Sequence, residues 1–258
     1  MFQTLDFKKE IPMTTPQIGI QMYTLRDHAA QNFALTLERV AQMGVHGVEF
    51  AGFGGMSASD LKALLERLKL KAAGAHFSSE QLFDELQKHV DYALELGLTT
   101  LVCPYARFET GQEWLEFAAK LEAVAQTLKS SGITLLYHNH DHELTQKIGE
   151  QTVLDALLEA APSVGGELDV AWLEVGGYSA AEYLTRYAAR TPLVHLKDYR
   201  RGAQGVETVE LGQGLTHLPA ALEAGKGAQW WLIEQDYCAG DPFDSLKVSL
   251  DWLKANWG

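Results

Sequence analysis

The feature that most constrains the fold of this chain is an alternation of strand-like and helix-like segments along almost its whole length. Short apolar runs that end in a polar residue are each followed by apolar residues at helical spacing. Such an alternation requires parallel strands joined by right-handed crossovers, and eight units close into a barrel more readily than they form an open sheet. The eight predicted strands are residues 17–23, 47–50, 70–76, 99–103, 133–138, 164–169, 193–196 and 230–234.

A doubly wound open sheet is the main competing fold. It normally carries a G-x-G-x-x-G phosphate turn after an early strand, and the glycine-rich residues 51–55 lack that spacing. The length of 258 residues is usual for one barrel, and no Pro/Gly/Ser-rich linker interrupts the chain. The sequence therefore predicts an α/β protein with a single (β/α)8 TIM barrel at residues 13–258, preceded by a flexible arm at residues 1–12.

Four of the predicted strands carry, at their last residue or the one before it, a side chain that can bind a metal ion. These are His138, Asp169, His195 and Glu234. The carboxyl ends of barrel strands surround one mouth, so side chains far apart in sequence become neighbours there. Two carboxylates and two imidazoles suit manganese, cobalt, zinc, iron or, less well, magnesium, and the carboxylates cancel the charge of a divalent ion. We expect one such ion, with manganese favoured.

Each of these residues also has an ordinary structural interpretation. A strand-end Asp can be solvated, a core His can bind the backbone, and a Glu can pair with Lys197. The metal interpretation is preferred because all four residues occupy the same structural place in their repeats.

Charge and hydropathy limit the partners of the chain. The formal net charge of -13 disfavours nucleic acid and anionic membranes, so a small-molecule sugar substrate is expected. No apolar segment is long enough to be a signal peptide or a membrane span, and a cytoplasmic location is expected. Barrels of this kind often form homodimers, although no residue predicts a particular interface.

Several motifs together resemble the xylose-isomerase-like superfamily of sugar isomerases and epimerases, which includes ketose 3-epimerases, inosose dehydratases and keto-glycoside enzymes. The motifs that carry this resemblance are Tyr137-His138-Asn139-His140, Leu168-Asp169, Val194-His195-Leu196-Lys197-Asp198 and Ile233-Glu234-Gln235-Asp236. The resemblance implies a barrel that binds one divalent cation through ligands on strands five to eight. Asp169, His195 and Glu234 match the Asp, His and Glu ligands of that superfamily.

Strand five departs from the epimerase pattern, because His138 stands where those enzymes place a glutamate. Epimerases use two carboxylates, one on each face of the sugar, and a metal-bound imidazole is a poor second base. Either Glu143 reaches back as the base or as the ligand, or the reaction needs one strong base, such as Glu234 or a histidine at the mouth. We prefer His138 as the ligand, with Glu143 and Glu234 as catalytic groups.

Other residues near the predicted mouth are candidates for binding sugar hydroxyl groups or stacking on a sugar face. A structural role is an equally good interpretation for most of them, and an aromatic side chain is more often part of the packing. The candidate substrate-binding residues are Tyr23, Glu49, His76, His140 and Lys197, and the candidate stacking residues are Trp114, Trp172 and Tyr178.

Four functions remain open from the sequence. The first is a metal-dependent isomerase or epimerase that abstracts a proton next to the carbonyl of a ketose or keto-glycoside and forms an enediolate. The second is a metal-dependent lyase or dehydratase of a keto-inositol or keto-polyol. An endonuclease for abasic DNA is disfavoured by the net charge. A sugar-binding barrel without catalysis is the fourth.

Overall fold

The computed structural model describes residues 15–203 and 205–257, and the predicted arm at residues 1–12 lies outside this range. The strands are β1 Gln17–Gln21, β2 Gly47–Phe50, β3 Lys71–His76, β4 Thr100–Cys103, β5 Thr134–His138, β6 Lys147–Ile148, β7 Gln151–Thr152, β8 Gly165–Asp169, β9 Leu193–Leu196, β10 Asp198–Gly202, β11 Gly205–Val209 and β12 Trp230–Ile233.

Most helices connect consecutive barrel strands, and several of their first turns are fixed by side-chain caps of the expected kind. Ser57, Ser78 and Thr110 each accept a hydrogen bond from a backbone N–H of the first turn that follows. The helices are α1 Arg26–Gln31, α2 Phe33–Gln42, α3 Ala58–Leu68, α4 Ser79–Asp84, α5 Leu86–Leu96, α6 Gly111–Lys129, α7 His142–Thr145, α8 Val153–Ala160, α9 Val170–Val175, α10 Ala180–Arg186, α11 Leu218–Ala224 and α12 Pro242–Trp257.

Eight parallel strands form a closed barrel in the order β1-β12-β9-β8-β5-β4-β3-β2. Closure is complete because β1 pairs with both β12 and β2. The predicted (β/α)8 barrel is therefore confirmed. Within the described ranges no helix is long and apolar enough to cross a membrane.

Two features of the fold were not predicted. An antiparallel hairpin, β10 with β11, follows β9, and a smaller hairpin, β6 with β7, lies between α7 and α8. Short helices α7 and α9 start within four residues of the ends of β5 and β8. These insertions are too short to give a clear periodic signal. They follow the carboxyl ends of strands, and α9 and the β10–β11 hairpin contribute to the wall of a cavity there.

The apolar core has two parts. The larger part packs the helices against the outside of the barrel. A smaller cluster, which includes Leu136, Leu193 and Leu232, fills the barrel interior. Side chains two residues apart on a strand share a face. His138, His195 and Glu234 follow these leucines by two residues, so they also point into the barrel, one layer nearer the mouth.

Candidate metal centre

Four buried side chains converge at the mouth from four strands or their ends. Their ligating atoms all lie within 4.8 Å of one another, and we call this group, His138, Asp169, His195 and Glu234, the rim cluster. His138 ends β5, Asp169 ends β8, His195 is the third residue of β9, and Glu234 follows β12. The structure therefore brings together the four residues that the sequence analysis selected as metal ligands.

The chemistry of the rim cluster fits a divalent ion. Burial, together with the neighbouring imidazoles of His195 and His140, holds the pKa of His138 well below its usual value, so this imidazole is neutral and can ligate. His138 Nδ1 makes no hydrogen bond within the described ranges, and its carboxylate neighbour Glu167 Oε2 lies 3.4 Å away. Two nitrogen and two oxygen donors with two negative charges match a zinc, manganese, cobalt or iron site.

Lys197 contacts both carboxylates of the rim cluster and is almost completely buried. Its Nζ lies 3.1 Å from Asp169 Oδ2, 3.1 Å from Glu234 Oε2 and 2.8 Å from Asp236 Oδ2. Burial alone lowers the pKa of Lys197, but the three carboxylates outweigh burial and raise the pKa well above its usual value. The side chain is therefore an ammonium ion that balances part of the negative charge of the mouth.

The two rim carboxylates differ in their acidity. Burial raises the pKa of Asp169 to about 6, against the opposing effect of Lys197. Burial also opposes ionisation of Glu234, but Lys197 and His195 outweigh it and hold the pKa of Glu234 well below its usual value. Glu234 is therefore ionised over the whole physiological range.

A second group of donors lies directly below, and we call Glu49, His76, Glu167 and His195 the lower cluster. It shares His195 with the rim cluster. His195 Nδ1 lies 2.9 Å from Glu234 Oε2, whereas Nε2 lies 2.7 Å from Glu49 Oε2 and 3.2 Å from Glu167 Oε2. A rim metal would use Nδ1, leaving the Nε2–H to donate to Glu49, an arrangement that fixes the ring orientation of metal-bound histidines.

In the lower cluster each imidazole faces carboxylates at ion-pair distances, although Glu49 Oε1 and Glu167 Oε1 meet no donor among the described residues. His76 Nε2 lies 2.8 Å from Glu167 Oε2 and 3.3 Å from Glu49 Oε2. Burial lowers the pKa of His76, but the two carboxylates outweigh burial and raise the pKa to about 10. Burial likewise opposes ionisation of Glu167, yet His195 and His76 hold its pKa below the usual value.

A glycine on β3 leaves room for the buried carboxylate of Glu49. A Cβ at Gly74 of β3 would lie 2.8 Å from Glu49 Oε1 and 3.0 Å from Leu193 Cδ1. A side chain at Gly74 would therefore push the Glu49 carboxylate from its place. Gln21 also supports it, because its Nε2 donates to Glu49 Oε2 at 2.7 Å.

A cavity of about 290 Å³ opens directly above the rim cluster. Of the predicted substrate-binding residues, Tyr23, His76 and His140 line it, together with the rim residues His138 and Glu234. Two other predicted substrate-binding residues lie elsewhere. Glu49 is fully buried in the lower cluster, and Lys197 is 1% exposed and held by its three carboxylates.

Glu143, the predicted base, lies behind this cavity. Its Oε1 accepts a hydrogen bond from Tyr137 Oη at 2.7 Å, and its Oε2 accepts one from the backbone N–H of His140 at 2.8 Å. Burial raises the pKa of Glu143. The structure does not bring Glu143 into either donor cluster, and its contacts instead fix the loop that carries His140.

Three residues that the sequence analysis did not select take part in the site. They are Glu167 of the lower cluster, Asp236 beside Lys197, and Asn139, whose Oδ1 accepts from the Asp169 N–H at 3.1 Å. A signal for Glu167 was present, because it precedes Asp169 by two residues and a charged residue within an otherwise apolar buried strand needs a partner.

Comparison with known proteins agrees with this architecture. The sequence profile described as xylose isomerase-like TIM barrel matches residues 37–256. Among curated proteins, the chain is 25% identical to an inosose dehydratase of Clostridium beijerinckii over 271 aligned positions, which cover 88% of this chain and 90% of the relative.

Solved structures resemble the whole barrel. A sugar phosphate isomerase/epimerase from Parabacteroides distasonis superposes with a TM-score of 0.78 at 22% identity, covering 98% of both chains. An L-ribulose 3-epimerase superposes with a TM-score of 0.75 at 16% identity, covering 93% of this chain and 94% of the other. At these identities the likeness is evidence for the fold alone.

Proposed function

Because the chain belongs to the xylose isomerase-like TIM barrel family, we propose that it is a metal-dependent enzyme that removes a proton next to the ketone of a sugar or polyol. The outcome that we place first is elimination of the group on the next carbon, which makes the enzyme a lyase or dehydratase. The single observation that carries the proposal is the convergence of His138, Asp169, His195 and Glu234 below a cavity of sugar size. A metal bound there would act as a Lewis acid on the substrate carbonyl.

The distribution of bases supports elimination over epimerisation. Epimerisation needs a proton acceptor on each face of the sugar, and Glu143, the candidate second carboxylate, uses both oxygens to hold Tyr137 and His140. Elimination needs one base. The curated relative reported above carries the name of a dehydratase, which agrees with placing elimination before epimerisation.

His140 is our candidate for that base. It lines the cavity but belongs to neither donor cluster, so it keeps a free lone pair when a metal is bound. Burial and the nearby ammonium group of Lys197 lower the pKa of His140 to about 3, so the imidazole is neutral in the free protein, and it gains the basicity that proton removal needs as negative charge develops on the substrate beside it. Its Nδ1 makes no hydrogen bond to any described residue, and its backbone N–H donates to Glu143 Oε2, which fixes the loop that carries the ring.

The proton and electron balance of the elimination is simple. His140 takes the proton from the carbon next to the ketone, the electron pair of that C–H bond forms a C=C bond, and the C–O bond on the following carbon breaks. The departing oxygen needs a proton, and the imidazolium formed on His140, which lines the same cavity, returns it, so that water or an alcohol leaves. The buried ammonium group of Lys197 contributes positive charge near the site without contacting the substrate.

Isomerisation or epimerisation is the second candidate. Two proton-accepting groups, His140 and Glu234, line the same cavity, and this observation favours a two-base reaction. Glu234 can serve as a base while ligating, because a carboxylate has a second oxygen.

The test is incubation of the metal-loaded protein with inososes and oxidised sugars in heavy water, followed by NMR and mass spectrometry. Elimination predicts a product that has lost water or an alcohol, whereas epimerisation predicts deuterium at the carbon next to the ketone with no loss of mass from the skeleton. Chelation should abolish both reactions. Turnover that survives complete removal of metal would contradict the proposal.

A further inference from the structure

A second, larger cavity adjoins the one above the rim cluster. It measures about 560 Å³ and lies between the β10–β11 hairpin and the segment after β12. Asp236 lines both cavities, so the two are neighbours. Trp172 forms another part of the wall, and its ring centroid lies 5.8 Å from that of His140, which lines the first cavity. The mouth therefore extends well beyond the space above the rim cluster.

The wall of this second cavity is acidic, and its one cationic group is already paired. It carries three carboxylates, Glu207, Glu210 and Asp236, and one guanidinium, Arg200. Arg200 Nε donates to Glu207 Oε2 at 2.8 Å. A phosphate group would find no unpaired cation among the described lining residues and would be repelled by the carboxylates.

The same wall offers aromatic side chains beside its carboxylates. Tyr237 is 70% exposed, and Trp172 is half-buried. Gln235 is 4% exposed, and its Nε2 donates to the carbonyl oxygens of Thr208 and Tyr237, which fixes this part of the wall. Aromatic faces beside carboxylate oxygens, which accept hydrogen bonds from hydroxyl groups, suit an uncharged, hydroxyl-rich ring.

We propose that this second cavity binds an uncharged sugar ring that is linked to the reacting keto-sugar. The inference rests on the proposed function and deepens it, because it names the substrate as a keto-disaccharide or similar glycoside and excludes a sugar phosphate. The first cavity, at about 290 Å³, is at the small end of ligand sites, whose volumes are commonly about 300–1,000 Å³. The two cavities together have room for two rings.

The experiment compares two substrates, a disaccharide oxidised to a ketone on one ring and the same keto-ring as a free monosaccharide. The measured quantity is the ratio of their kcat/KM values. Tyr237→Ala should lower the preference for the disaccharide by about fivefold to tenfold, since it removes an aromatic stacking surface. As a matched control, Tyr105→Ala removes an exposed aromatic that lines only the first cavity, and it should leave this ratio unchanged.

Two results would overturn the proposal. One is an unchanged ratio in Tyr237→Ala, and the other is a higher kcat/KM for a phosphorylated keto-monosaccharide than for the disaccharide. If neither substrate reacts, the proposed function fails, and the cavity is then tested by saturation-transfer NMR with cellobiose. Cellobiose binding that is weakened in Tyr237→Ala would support the second sugar site, and absence of cellobiose binding would refute it.

Discussion

The rim cluster and the lower cluster have the same donor groups, two carboxylates and two imidazoles, yet they differ in the pairing of the imidazole that each does not share and in access to the cavity. In the lower cluster, Glu49 and Glu167 face His76 and His195 at distances of 2.7 to 3.3 Å, which are those of paired ions. In the rim cluster, His138 Nδ1 has no hydrogen bond to a described residue, and the group opens onto a cavity.

This difference indicates a division of roles. His76 is ion-paired with two carboxylates, whereas His138 Nδ1 has no hydrogen bond to a described residue and His138 lines the cavity, so we propose the rim cluster as the metal site. The lower cluster instead holds His195 in the orientation that the rim requires. Substitutions in the rim cluster and in the lower cluster should therefore differ in their effects on metal binding and stability.

The largest effect is expected from loss of a rim ligand. His138→Ala should empty the site and lower kcat/KM by at least about 1,000-fold, because Lewis-acid polarisation of a carbonyl contributes several kcal/mol. Metal content by mass spectrometry is measured beside activity. His89→Ala, which removes a buried histidine of α5 outside both clusters, is the control and should retain the metal. Full metal content in His138→Ala would remove this residue from the ligand set.

Lys197 tests how much of the charge balance of the rim depends on one side chain. Lys197→Met leaves Asp169, Glu234 and Asp236 without their shared cation, and breaking a buried ion pair in this way costs about 3–5 kcal/mol. We expect the free energy of unfolding of metal-free Lys197→Met, measured by urea denaturation, to fall by this amount. With metal bound the decrease should be smaller. Lys247→Met, at an exposed pair with Asp251, should leave the stability almost unchanged, because solvent screens that pair. Equal effects in the two variants would contradict this account.

A substitution at Glu49 tests whether the lower cluster supports metal binding by holding the ring of His195 in place. Glu49→Gln keeps the size of the side chain but weakens the acceptor of the His195 Nε2–H, so metal affinity should fall about 10- to 100-fold. Competition with a fluorescent chelator measures the change. Glu207→Gln, which neutralises an exposed carboxylate, should leave the affinity unaltered. A Glu49→Gln protein that binds metal as tightly as the parent would leave Glu49 with only a structural role.

The smallest effect is expected behind the site. Tyr137→Phe removes the donor to Glu143 Oε1 and leaves a buried carboxylate oxygen with one contact fewer, which should cost about 1–3 kcal/mol of stability. Metal affinity should remain that of the parent, because Tyr137 and Glu143 lie outside both clusters. Denaturant unfolding and metal titration are compared. Loss of metal from Tyr137→Phe would bring Glu143 back as a candidate ligand.

Much of the fold was predictable because its signals are local. Each strand–helix unit shows its own periodicity, and the number of units, together with the handedness of crossovers, leads to the barrel. The rim residues were predictable for the same reason, since the carboxyl ends of barrel strands meet at one mouth. The role of Glu143 was harder to predict, because two residues in a loop near a strand end can point toward the cavity or away from it.

The sequence by itself determined the closed barrel and the strand-end positions at which the four rim residues meet, because period and strand direction are local properties of the chain. Only the tertiary structure decided which nitrogen of His195 faces Glu234 and which faces Glu49, that Glu143 holds the loop of His140, and that the β10–β11 hairpin adds a second cavity. These contacts join residues up to 146 positions apart, and their geometry depends on the packing of every strand between them.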